Sequence, residues 1–227
     1  MKANEIIPWR IRNFFSRCLE EKIRPKAPRL YKLIKFGRTN INTPDYWDKE
    51  WANDSTQRHY DDLFKLILER IPENSDVLDV GCVVGRLSKI IKQQRNAKLT
   101  CLDFSKWACE QLAKDGFTTI VSTLPHIPLP DNSFDIAVAT EVFEHLDHPG
   151  KTLQQMGRVV RPNGIVMCSA PNDTLHPHEE LEHQQSYTPN SLKKLLLCLG
   201  TDITIITGSF YPGSKHEFIL GIVKIEK

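Results

Sequence analysis

No run of about eighteen uncharged apolar residues occurs in the chain, so nothing in it predicts a membrane-spanning helix. The N-terminus lacks the apolar core and small-residue cleavage site of a signal peptide, and a cytoplasmic location is the expectation. Cysteine occurs six times but never as C-x-x-C: Cys18, Cys82, Cys101, Cys109, Cys168 and Cys198 are scattered, mostly inside apolar runs, where reduced thiols act as small hydrophobes. A disulfide framework or a zinc ribbon would need clustered pairs. Internal repeats and low-complexity tracts are also missing. What remains is a chain of 227 residues, 40% hydrophobic, long enough for one sizeable core and too short for two full domains.

The net charge of +2 conceals an asymmetry. Residues 1–38 hold eleven Lys or Arg against three Glu, a balance of +8, which leaves −6 for the rest. Trp9, Ile11, Phe14, Phe15 and Leu19 are interleaved there with Arg10, Arg12 and Arg17, a pattern that suits an amphipathic helix on an anionic membrane surface. Pro25 and Pro28 divide this arm. We therefore expect a basic arm over 1–40 and a folded domain over 41–227. The arm has no recognisable nucleic-acid module and the body is net acidic, so no nucleic-acid partner is expected.

From about residue 57 helical and strand patterns alternate. "RHYDDLFKLILERI" spaces Leu63, Leu66, Ile67 and Ile71 as one helix face. "VLDVG", "AKLTCLDF", "TTIVS", "FDIAVAT" and "GIVMCSAP" read as buried strands. Between them "RLSKIIKQQ", "KWACEQLAKDG", "GKTLQQMGRVV" and, later, "SLKKLLLCLG" read as helices, the second and last closed by glycine. Strands separated by helices imply a parallel α/β sheet covered on both faces. "DITIITGSF" and "KHEFILGIVKI" are β-rich with only a loop between them, which calls for an antiparallel pair at the end of that sheet. Ligands of such sheets bind beyond the carboxyl ends of the strands.

The turn in "VLDVGCVVGRLS" is G-x-x-x-G, with Gly81 and Gly85 flanking Cys82, Val83 and Val84. It lacks the three glycines of a dinucleotide fingerprint and the Gly-Lys-Ser/Thr of a P-loop, so a phosphate is a poor candidate ligand. Asp103 ends the next strand, 22 residues beyond Gly81, where a carboxylate can accept hydrogen bonds from a ribose diol. A ribose without a required pyrophosphate points to an adenosyl ligand.

From about Tyr46 onward the chain resembles the class I S-adenosylmethionine-dependent methyltransferases. "VLDVGCVVGRLS" is similar to their first motif and "CLDF" to their acidic second-strand end. "IPLPDNSFDIAVATEVFEHL" and "RVVRPNGIVMCSAPN" resemble their fourth- and fifth-strand regions, in the same order and spacing. The resemblance implies a Rossmann-like, doubly wound sheet of order 3-2-1-4-5-7-6 with strand seven antiparallel. It implies that Asp79, Gly81, Cys82 and Gly85 shape the pocket for the methionine part of S-adenosylmethionine. Asp103 would hold the ribose and Phe104 pack on adenine. Thr123, Leu124 and Thr140 would contact the cofactor from the later loops. Val83 stands where the family has a middle glycine, and Thr123 where it often has aspartate. A β-branched residue resists positive φ, an ordinary φ would accommodate it, and weaker cofactor binding than the full motif gives is expected.

A methyl on sulfonium is already activated, so the protein must align the nucleophile and take its proton. In "EVFEHLDH" we assign His145 as general base, oriented by Glu144, and assign no metal. The same segment allows another reading: Glu141, Glu144 and His145 share one face if it is helical, and the spacing is similar to that of ubiquinone-pathway and small-RNA O-methyltransferases that hold a divalent cation. His176, His178 and His183, in the loop after strand five, are further candidate bases, and Tyr46 and Trp47 lie where relatives place an N-terminal lid. The expected function is O-methylation of a small-molecule or lipid-linked biosynthetic intermediate. The alternative is a binding protein on a degenerate methyltransferase fold.

Overall fold

The computed structural model describes residues 19–23, 28–36, 40–53, 60–174, 181–211, 214 and 216–226. The chain divides into two compact units, Met1–Asn42 with Glu179–Glu182, and Thr43–His178 with His183–Lys227. In the first, a single π-helical turn, Leu19–Ile23, precedes α1, Pro28–Phe36. Tyr31 of α1 is buried, whereas Leu30, Leu33 and Ile34 are about half exposed. Trp9 to Arg17 of the expected amphipathic helix lie outside the described residues.

The second unit is built on a seven-stranded sheet of order β3-β2-β1-β4-β5-β7-β6. The strands are β1 (Asp76–Val80), β2 (Lys98–Asp103), β3 (Thr118–Val121), β4 (Phe134–Ala139), β5 (Val160–Pro171), β6 (Ile203–Ser209) and β7 (Glu217–Lys224). β1 to β5 run parallel and β7 is antiparallel to both β5 and β6, as the sequence pattern implies. The helices are α2 (Pro44–Asn53), α3 (Asp61–Leu68), α4 (Arg86–Arg95), α5 (Lys106–Lys114), α6 (Pro149–Val159) and α7 (Pro189–Leu196).

Period-two alternation divides the core between the faces. Val77, Leu99, Cys101 and Val138 pack with Leu63 and Ile67 of α3 and Leu87 and Ile91 of α4. Leu78, Val80, Leu102 and Ala137 face the other way, toward Leu153 and Met156 of α6 and Leu192 and Leu196 of α7. Strands buried on both faces read as unbroken apolar runs, which is why they were visible in the sequence.

Three expectations are corrected. Gly200 does not close α7 in a left-handed conformation: the helix ends at Leu196, and a Cβ on Gly200 would come within 2.7 Å of the Lys224 carbonyl oxygen, so close approach accounts for the glycine. Cys198 is exposed, unlike the buried Cys82, Cys101, Cys109 and Cys168. Val83 does not take an ordinary φ.

The glycine turn after β1 keeps a left-handed backbone at Gly81 (φ 71°), Val83 (φ 50°) and Gly85 (φ 69°). A Cβ on Gly81 would overlap the Val142 side chain and one on Gly85 the Leu112 side chain, so the path is fixed at both ends by packing. The Val83 N–H points at Asp103 and donates to its Oδ2 at 2.9 Å. This path overrides the preference of a β-branched residue. A valine held there costs about 1–3 kcal/mol, while glycine loses ~0.5–1 kcal/mol in chain entropy. Val83→Gly should therefore stabilise the protein by about 1 kcal/mol, read as a higher denaturant midpoint at unchanged slope. An unchanged or lower midpoint would show that the turn is not strained.

Candidate functional site

The order reverses between β1 and β4, so the crevice for a ligand lies beyond their carboxyl ends. The predicted site residues within the described chain gather at this edge, Asp79 and Asp103 near the ends of β1 and β2 and the others in the segments that follow the strands. His176 and His178 lie outside the described residues.

On the β1–β2 side, Asp79 shares a sheet face with Val77 and so points toward α4, where buried Ser88 donates to its Oδ2 at 2.5 Å. Burial pushes the Asp79 carboxyl up to about 6; the Ser88 hydrogen bond opposes this and the Asp103 charge adds to it. Asp103, 4% exposed, accepts from the Val83 amide through Oδ2 and from the Ser105 amide, at 2.8 Å, through Oδ1. Burial still raises its pKa, against the pull of the Ser105, Val83 and Phe104 amides. Each of its oxygens has a further lone pair for a hydroxyl donor. Gly81 and Cys82 donate through their amides to the Leu102 carbonyl at 2.7 and 3.3 Å, which ties the turn to β2. Cys82 turns its side chain into the core beside Val77 and Leu87, so only its backbone borders the crevice.

Phe104 and Thr140 are half-buried at the ends of β2 and β4. Thr123 is exposed after β3, and Leu124 packs its side chain against the α6-side core. A ligand there would meet the Thr123 hydroxyl and backbone, as the sequence implies for an uncharged adenine contact.

Beyond β4 the segment is not an α-helix, the condition under which Glu141, Glu144 and His145 would share a face, but one 3₁₀ turn, Phe143–His145. Glu141 lies outside it at φ 54°, with its amide donating to Ser169 Oγ at 3.1 Å and its Oε1 accepting from the same hydroxyl at 2.8 Å. Glu141 therefore turns to β5 and does not share a face with Glu144 and His145. Among the described residues, the left-handed non-glycine positions are Asn74, Asn96, Asn132 and Asn163, a type that tolerates this region, together with Val83 and Glu141. The two that do not tolerate it both border the crevice, as strain at functional sites commonly does.

The third partner of Glu144 and His145 comes from the loop before α7. Gln184 and Gln185 donate their amides to the Glu144 carbonyl at 2.6 and 3.0 Å, and Gln185 Nε2 donates to the Leu146 carbonyl at 3.1 Å. This lacing sets buried His183 against His145, ring centroids 5.0 Å apart. Glu144, 1% exposed, brings Oε1 to 3.7 Å from His145 Nε2, adjacent but beyond hydrogen-bond length. One ligand atom from each of Glu144, His145 and His183 lies within 4.8 Å of the others. Burial, reinforced by the Glu144 charge, holds the Cys168 thiol at about 12 and also raises the Tyr187 phenol, so neither can take a proton near neutrality.

Over this cluster lies α2: Trp47 meets His145 edge-on at 5.2 Å and stacks on Trp51 at 5.0 Å. The sequence named Trp47 as a lid residue. Ser88, Ser169 and Asp48 escaped it, because a lone serine or aspartate has no distinguishing spacing.

The crevice suits S-adenosylmethionine on the chemistry of its donors and acceptors: a carboxylate for a diol at the end of β2 and backbone around a glycine turn with no room for a Cβ at either end. Residues 78–168 match a family model described as a methyltransferase domain. A demethylmenaquinone methyltransferase of Chlamydia trachomatis is 27% identical over 158 residues, 67% of this chain and 63% of that protein. A mitochondrial ubiquinone biosynthesis O-methyltransferase of Dictyostelium discoideum is 24% identical, over 60% of this chain and 52% of its own length. The match thus spans less than two thirds of these relatives. In fold the chain is similar to a Burkholderia thailandensis 1,6-didemethyltoxoflavin-N1-methyltransferase solved with S-adenosylhomocysteine, with a TM-score of 0.65 at 14% identity, over 81% of this chain and 87% of that one. By sheet order, by the glycine turn and acid within it, and by the methyltransferase-domain match over residues 78–168, the chain is similar to the class I S-adenosylmethionine-dependent methyltransferases.

Proposed function

We propose that the protein methylates a hydroxyl of a small-molecule or lipid-linked biosynthetic intermediate, with His145 as general base. The observation that carries this reading is the half-buried His145, laced into place at the end of β4 beside the turn and acid that would hold the cofactor. Asp103 would hold the ribose, and the backbone of Gly81, Cys82 and Gly85 the methionine part. Phe104, Thr123, Leu124 and Thr140 would border the adenosyl group. S-adenosylmethionine supplies an activated methyl, which passes to the acceptor oxygen as the S–CH₃ bond breaks. His145 takes the hydroxyl proton, and the Glu144 carboxylate at 3.7 Å favours the imidazolium so formed. Relatives named for quinone biosynthesis support a phenolic or quinol acceptor. The binding-protein alternative is not favoured, since Val83 leaves the left-handed turn and its bond to Asp103 intact.

A second reading uses the same side chains. Two imidazoles and a carboxylate suit a divalent cation, and the set Glu144, His145, His183 supports this better than Glu141 does. Their ligand atoms would have to close to about 3.4 Å, the edge of a tetrahedral site. The two readings separate in a methyl-transfer assay against phenols and catechols. With a simple base, His145→Ala lowers kcat by about 10²–10⁴-fold, while chelator and His183→Ala leave most activity. A metal-clamped acceptor predicts loss on chelation, recovery with Mg²⁺, Mn²⁺ or Zn²⁺, and equal damage from both histidine variants.

Asp79 gives the cofactor site a pH dependence. With its carboxyl at about 6 in the free protein, it is mostly neutral at pH 5 and ionised at pH 7. A cationic cofactor favours the ionised form, so affinity for S-adenosylmethionine should rise by up to about tenfold from pH 5 to pH 7. Calorimetry across that range should show the slope in the parent and its absence in Asp79→Asn; a flat parent profile contradicts the assignment.

Residues 1–38 are proposed to contact an anionic membrane. The half-exposed Leu30, Leu33 and Ile34 support this, alongside the +8 balance of the segment. Among the described residues no helix is long and apolar enough to cross a membrane, so contact would be peripheral. The full chain should float with phosphatidylserine liposomes, and Leu33→Ser with Ile34→Ser should weaken that; equal flotation of the two rejects the surface.

A further inference from the structure

The Ser105 hydroxyl has two partners. It accepts from the Ala108 amide at 3.0 Å, capping α5, and it donates to Asp48 Oδ1 on α2 in a short hydrogen bond. A hydroxyl has one proton, so committing it to Asp48 leaves a lone pair aimed at Ala108, and one rotamer serves both. The backbone amide of the same residue donates to Asp103 Oδ1. Two carboxylates, Asp48 and Asp103, are therefore joined through a fully buried serine, one by its hydroxyl and one by its amide. The preceding residue of α2, Trp47, meets His145, and Trp51, one turn on, stacks on Trp47. Helix α2 thus touches the β2 end of the crevice with one side chain and the β4 end with its neighbour.

From this juxtaposition we propose that Asp48 is a positioning residue: its bond to Ser105 latches α2 across the crevice, so that cofactor binding at Asp103 and closure of Trp47 over His145 are coupled. The coupling has a physical source. Asp48 is close enough to add to the upward shift that burial imposes on Asp103, and the juxtaposition is tolerated because Ser105 donates to both carboxylates. Hydroxyls donating to Asp103 would spread its charge and lower the repulsion that opposes docked α2. Cofactor then favours the docked helix, and the docked helix favours cofactor to the same extent.

The inference rests on Asp103 as the ribose acceptor, and the experiment keeps the two claims apart. S-adenosylhomocysteine binding to the full chain is followed by calorimetry and by tryptophan emission, with Trp47→Phe identifying the signal from α2. Asp48→Ala should weaken binding about tenfold and abolish the Trp47 response. Asp48→Asn keeps an acceptor for the Ser105 hydroxyl and removes the repulsion from Asp103, so it should bind within about threefold of the parent with a diminished Trp47 response, a rescue of affinity that loss of general stability would not produce. Parent-like binding by Asp48→Ala, or Asp48→Asn as weak as Asp48→Ala, overturns the latch. Asp103→Ala should lose binding; if it binds like the parent, the ribose assignment falls instead.

Discussion

The site depends on one buried anion. Asp103 carries a carboxylate almost out of contact with water, and an isolated charge in that position would cost several kcal/mol or take up a proton. It is retained because amides converge on it from two directions, from Val83 in the turn after β1 and from Ser105 at the start of α5. That requirement shapes the neighbourhood. The Val83 amide reaches Asp103 along a left-handed path, and the turn keeps that path although a β-branched side chain opposes it. The Ser105 amide is presented by the residue that caps α5, so the start of that helix is set by the same carboxylate.

The acceptor side solves a different problem. A 3₁₀ turn of three residues has too few hydrogen bonds of its own to hold Glu144 and His145 still. Bonds from the Gln184–Gln185 segment to the carbonyls of Glu144 and Leu146 do the holding, and the Ser169 hydroxyl fixes the strained Glu141 just before it. His183 reaches the cluster as a consequence of the same lacing. The side chains proposed for the chemistry therefore sit beyond the strands, while β1, β4 and β5, buried on both faces, give those segments fixed ends.

What the sequence revealed follows from the range of the forces involved. Strand order, the antiparallel end and the position of Asp103 were legible because buried parallel strands read as apolar runs and their turns as glycines. Three features were not. The E-x-x-E-H spacing left a helical face open as one reading, but a left-handed Glu141 breaks it, held by Ser169, 28 residues away. Gly200 looked like a helix cap because it follows an apolar run, whereas its reason is the Lys224 carbonyl across the sheet. Among three histidines in one loop, nothing local distinguishes His183; its partner Glu144 lies 39 positions earlier. In each case local spacing suggested one conformation and a distant contact imposed another.

The same reasoning explains why the departures from the family pattern need not disable the turn. Val83 would be fatal if the glycine at that position served to admit a left-handed φ that nothing else enforced. Here the φ is enforced by Gly81 against Val142, Gly85 against Leu112 and the amide bond to Asp103, so valine adds strain without changing the path. Strain of this kind lowers the stability of the free protein and leaves the geometry presented to a ligand almost unchanged, because binding is decided by where the Val83 amide and the Asp103 carboxylate stand. What valine does alter is the space in front of the turn, which its half-buried side chain now shares with any ligand.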